Sequence, residues 1–127
     1  MNLALWVIAG LLAAVFLAGG LIKATQPQRK LAAAPGGGWA GDVSGSTVKA
    51  IGALEVLGAA GLVLPAVTGT APILVPLAAA CLALMMVAAA VVHLRRHEAR
   101  VIAVNIVYFA LAVLVAWGRF GPYAFGG

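Results

Sequence analysis

The chain has 127 residues, of which 65% are hydrophobic and only 9% charged, with a formal net charge of +5. A soluble domain solvates its surface with about 25% charged residues, so this composition excludes a water-clothed globule and makes lipid the principal solvent. It also excludes a nucleic-acid reading module, because the basic residues stand in short clusters beside apolar runs with no interleaved aromatics.

The first apolar run, Leu3 to Ile22, ends at Lys23. At 1.5 Å per residue it is long enough for the ~30 Å hydrocarbon core. Its start, Met1-Asn2-Leu3, has no basic segment and the run exceeds the apolar part of a signal peptide. It therefore reads as a retained helix over about residues 3–23. Residues 24–46 form the one long connection. Pro27 opens a short amphipathic turn through Gln28-Arg29-Lys30-Leu31-Ala32, which breaks at Pro35-Gly36-Gly37-Gly38. Trp39 follows, either as an anchor among lipid headgroups or as a locally packed loop residue.

A second helix, about 48–65, is capped by Ser44 or Ser46 and closed by Pro65. An uncharged connection leads to a third, about 72–94, with Pro72 in its first turn and Pro76 bending its entry. Arg95-Arg96-His97-Glu98-Ala99-Arg100 makes the next connection. The fourth helix covers about 101–118, before Arg119 and a flexible tail to Gly127. The expected fold class is all-α integral membrane: one domain over residues 1–127, with four transmembrane helices. Short connections between consecutive spans imply an antiparallel up-down-up-down bundle. Lys23, Arg29, Lys30, Lys49, Arg95, Arg96 and Arg100 flank the first and third connections, against Arg119 alone at the other side. The positive-inside rule then places both basic connections in the cytoplasm and both termini outside, in a bacterial inner membrane.

Glu55 is the first candidate for chemistry. It lies ~9 Å deeper along its helix than Lys49. An ionised carboxylate there costs at least about 2.5–3.5 kcal/mol, so Glu55 must face the interior, be paired, be protonated or meet water. Gly52, Glu55, Gly58 and Gly61 recur every three residues, a ridge of small side chains that lets a neighbouring helix approach. Lys49 and Glu55 stand about 120° apart around the helix and make poor partners. Lys23 or His93, across a helix boundary, suits Glu55 better. The expected topology brings Lys23, Lys49, His93 and Asn105 to the same leaflet as Glu55, a candidate ligand-binding or polar cluster. Each has an ordinary alternative: the lysines snorkel to headgroups, His93 caps its helix, and Asn105 bonds between helices.

His93 and His97 have helical i, i+4 spacing but no third ligand, so no metal site is expected. Cys81, the single cysteine, shares a helix with Met85 and Met86 and reads as packing. No catalytic residue is assigned. The sequence holds no serine nucleophile, carboxylate dyad, phosphate loop or dinucleotide fingerprint.

The chain resembles the DoxX-like family of small bacterial membrane proteins. The resemblance rests on Gly19-Gly20-Leu21-Ile22-Lys23, on Lys49-Ala50-Ile51-Gly52-Ala53-Leu54-Glu55-Val56-Leu57-Gly58, and on Gly61-Leu62-Val63-Leu64-Pro65. His93, Asn105 and Trp117-Gly118-Arg119-Phe120 support it. It implies a four-helix membrane bundle. It also implies association with quinol-oxidising or thiosulfate-oxidising complexes, or with a membrane oxidoreductase assembly containing a superoxide dismutase and a sulfurtransferase.

Three readings follow. The first is an accessory subunit, without catalysis of its own, that contacts a quinone, a lipid or oxidoreductase subunits through the cluster; a quinone is the one cofactor class it admits. The second is a small proton-coupled transporter working as an oligomer, although small multidrug exporters carry their working glutamate in the first helix, which has no acid here. The third is a structural protein whose polar cluster only locks the helices.

Overall fold

The computed structural model describes residues 2–124. All regular structure among them is helical: α1 (Asn2–Thr25), α2 (Gln28–Ala33), a 3₁₀ turn (Gly38–Asp42), α3 (Gly45–Thr68), α4 (Leu74–Arg95) and α5 (Ala99–Phe120). Among the described residues α1, α3, α4 and α5 are long and apolar enough to cross a membrane. Between 22% and 33% of each apolar window is buried in the bundle, so most of this surface faces outward. Leu57, Leu84, Leu94 and Val67 are all exposed, as lipid requires and water forbids.

The helices close into a ring. α1 packs most extensively on α3 and α4 on α5, and α3–α4 and α1–α5 contacts complete the circuit. Leu12, Phe16, Leu62, Val75, Leu82 and Val115 fill the centre. Phe16 meets Tyr108 edge to face, with ring centroids 6.0 Å apart. Small residues set the distances. A methyl group on Gly58 would strike Leu82, and one on Gly61 would come within 2.8 Å of Ala78 Cβ. The glycine ridge of the second span therefore serves two neighbours: Gly52 meets α1, whereas Gly58 and Gly61 meet α4.

Helix boundaries differ from the sequence expectation in informative ways. Pro65 lies inside α3, which continues to Thr68 and ends where Gly69 takes φ +70°. Proline removes only the bond to the carbonyl of Gly61, whereas stopping the helix within lipid would leave several groups unpaired. α4 starts at Leu74, after Pro72. Pro76 falls in its first turn, where a missing N–H has no intrahelical partner to lose. Ser44 caps α3, its side chain accepting from the Thr47 N–H at 3.1 Å. α4 ends at Arg95 and His97 takes φ +58°, so His93 and His97 do not share a helical face. The last three residues of the expected flexible tail lie outside the described residues.

The long connection is folded. α2 matches the amphipathic turn expected after Pro27, and it packs on the 3₁₀ turn. The Gln28 side-chain amide donates to the carbonyls of Ala40 and Val43, each at 2.6 Å. Arg96, at the end of α4, pairs with Asp42 and so ties this connection to the next.

Candidate functional site

Gly20 on α1 and Gly52 on α3 let two backbones touch. Three residues further along each helix stand Lys23 and Glu55. Lys23 Nζ donates to Glu55 Oε1 at 2.6 Å, and Glu55 is only 4% exposed. The remaining oxygen, Oε2, lies against Gly19, where an added methyl group would come within 3.2 Å. The carboxylate is thus held by an ammonium from the neighbouring helix. Trp39, from the long connection, covers that ammonium, with Lys23 Nζ 5.9 Å from the ring centroid.

Glu55 and Lys23 line a cavity of about 500 Å³. Its walls are mainly apolar: Ile22, Ile51, Leu54, Met85, Met86 and Val92 among them. Its roof comes from the long connection, through Leu31, Pro35, Gly37, Trp39 and Ala40. His93 and Asn105 complete the lining from α4 and α5. His93 is buried and its Nδ1 shares a 2.8 Å hydrogen bond with Glu98 Oε1. Arg96 Nε stands 3.5 Å from the same carboxylate oxygen. Asn105 is 7% exposed, and its Nδ2 is buried with no hydrogen-bond partner. A buried amide left unpaired costs about 1–3 kcal/mol, so Asn105 offers a donor to whatever enters.

Four of the five polar candidates therefore meet: Lys23, Glu55, His93 and Asn105 surround one space. Lys49 does not join them. It is exposed near the start of α3 and is not part of the cavity wall. Gly52, Gly58 and Gly61 serve packing, as above. Three contributors escaped the sequence reading. Glu98 follows His93 by five residues, a spacing no helical pattern flags; Asp42 meets Arg96 across 54 residues; and Trp39 becomes cavity roof only because the connection folds back.

The opposite end of the bundle carries a second polar group. Arg119 is buried, donates to Asn2 Oδ1 at 2.5 Å and to the Tyr123 carbonyl at 2.9 Å, and stands 5.8 Å from the Trp6 ring centroid. No cavity joins it to Glu55 among those described.

The site can hold a neutral head with acceptor atoms. Lys23 offsets the charge of the acid, the walls are mainly apolar, and the Asn105 amide, the His93 imidazole and the second Glu55 oxygen, which Lys23 does not reach, are the polar groups that line the space. No curated protein and no solved structure matches the chain. The model of the DoxX-like family matches residues 7–115, most of the chain, and this membrane protein belongs to that family.

Proposed function

We propose that the chain is an accessory membrane protein that holds the polar head of a quinone-class amphiphile in the Glu55 cavity. The observation that carries this reading is the unpaired, buried Asn105 amide in the wall of a roughly 500 Å³ space otherwise lined by apolar side chains. Such a space, apolar with a few convergent polar groups, is the usual form of a small-molecule site. His93, with Glu98 on its Nδ1, supplies a second polar contact. In this reading electrons pass to or from a partner oxidoreductase subunit. The bundle is antiparallel in this reading, in a cytoplasmic membrane, with the Glu55 end at the cytoplasmic face and both termini outside. The basic residues at that end support it.

A Trp6→Phe/Trp117→Phe protein in mild detergent leaves Trp39 as the sole tryptophan, in the cavity roof. A short-tailed benzoquinone should quench it saturably, and His93→Leu should weaken the midpoint by about tenfold, the loss of one hydrogen bond. Quenching that rises linearly and identically in both proteins is mere partitioning and overturns the proposal.

A second reading has its own observation. The Lys23–Glu55 pair sits beside the Gly20–Gly52 contact, where it can act as a clasp and nothing more. Under that reading Glu55→Gln lowers thermal stability, and no quinone binds saturably to either form.

A further inference from the structure

The turn after α4 brings the chain back on itself. His97 takes φ +58°, a conformation uncommon outside glycine, and Glu98 thereby returns to His93. The Glu98 N–H donates to the His93 carbonyl at 3.0 Å, and Glu98 Oε1 lies 2.8 Å from His93 Nδ1. A carboxylate only accepts, so the imidazole carries its proton on Nδ1 and presents Nε2 as an acceptor. His93 belongs to the cavity wall, whereas Glu98 stands outside it. On α3 the second oxygen of Glu55 is another acceptor, since Lys23 donates to Oε1. Both residues are buried, Glu55 with 4% and His93 with 6% exposure.

We infer that the Glu55 cavity selects the reduced, hydroxyl-bearing form of its quinone-class ligand, and that the oxidised form binds with uptake of one proton by His93. The inference rests on the head-binding proposal above and adds which oxidation state the site prefers. Two buried acceptors carry it. A hydroquinone hydroxyl donates to His93 Nε2 or to Glu55 Oε2, and its oxygen still accepts from the Asn105 amide. The carbonyl oxygens of the quinone only accept. They find donors in Asn105, Lys23 and Trp39, but they leave both acceptors without a partner, and an unmet buried acceptor is costly. A proton from the aqueous side turns His93 Nε2 into a donor and removes one of the two mismatches. Glu98 then balances the imidazolium. It is partly exposed, with Arg96 Nε 3.5 Å from its Oε1 and Asp42 on the far side of Arg96. The other charged groups of the cavity wall are Lys23 from α1 and Glu55 from α3, paired with each other. α5 and the roof contribute the neutral Asn105 and Trp39.

Calorimetric titration of the unaltered protein in mild detergent, without oxygen, compares a short-tailed benzoquinone with its hydroquinone. Between about pH 6.5 and about pH 8 the hydroquinone keeps its protons, since phenols titrate at about 10. Its affinity should be level across this range. At the upper end it should exceed that of the quinone by about tenfold, the scale of one hydrogen bond. The quinone should weaken as pH rises, by up to about tenfold per pH unit, the limit for one proton taken up. His93→Leu should abolish that slope and weaken the hydroquinone by about tenfold. His97→Asn removes an exposed imidazole outside the cavity wall, suits the backbone at that position, and should keep the slope. A slope that survives His93→Leu places the proton elsewhere and overturns the inference. If both forms bind saturably with equal, pH-independent affinity, the inference falls alone and the quinone-class reading stands. If neither form binds saturably, it falls together with the reading it rests on.

Discussion

Gly20 and Gly52 face each other so closely that a methyl group on either would lie 2.6 Å from the carbonyl oxygen of the other. This contact fixes how near α1 and α3 come, and the Lys23–Glu55 pair stands three residues beyond it on both helices. The acid is reached by its partner because two side chains are missing one turn away.

Gly52→Ala should therefore destabilise the protein by about 1–3 kcal/mol, the usual cost of overpacking. Backbone atoms, not flexible side-chain ends, bound the space on both sides. Gly10 has nothing within 4 Å of an added methyl group, so Gly10→Ala is the matched control and should hold or raise the melting temperature. Equal melting curves for the two variants in detergent would remove the close contact from the account.

Lys23 and Glu55 should be energetically coupled. A double-mutant cycle with Lys23→Met and Glu55→Gln is expected to give an interaction of about 1–3 kcal/mol, as for partners in one buried network. Lys23→Met leaves the buried Glu55 without its charge partner, Glu55→Gln leaves the half-buried Lys23 without one, and the double change removes both problems. Additivity within about 0.5 kcal/mol would mean that the pair contributes nothing as a pair.

Arg96 should matter for local order rather than for global stability. It bridges Asp42 and Glu98, and Asp42 is largely exposed. Exposed ion pairs contribute about 0–1 kcal/mol. Arg96→Ala should leave the melting temperature nearly unchanged while amide hydrogen exchange accelerates at residues 37–42, the roof of the cavity. Raising salt should produce part of the same acceleration in the unaltered protein. Unchanged exchange in this segment would show that the Gln28 bonds to Ala40 and Val43 hold the roof alone.

The orientation can be read by labelling. In a Cys81→Ser background, a cysteine at Ala33 should react with a membrane-impermeant maleimide only from the cytoplasmic side, and one at Thr70 only from the other. Ala33 belongs to the basic long connection and Thr70 to the uncharged one. The reverse pattern would invert the bundle and place the Glu55 cavity at the outer face.

The spans were legible because their signal is additive along the chain: some twenty apolar residues with few charges need no partner to declare themselves. Glu55 was conspicuous for a related reason, since a carboxylate amid apolar residues has few ways to exist in lipid. The glycine spacing of α3 also marked its packing face before any neighbour was known. The chain's own order could not say which helix would fill that face, how far Pro65 could be tolerated inside it, or that Lys49 would stay exposed while Lys23 turned inward. Those outcomes depend on distances between segments far apart in sequence. Arg96 meets Asp42, His93 meets Glu98 beyond a helix end, and the loop carrying Trp39 folds back over the site. Sequence determined the solvent, the number of spans and the presence of one costly acid, because burial in lipid is a property of each segment. Tertiary structure alone decided that the acid would border a cavity, because a cavity is the space its neighbours fail to fill.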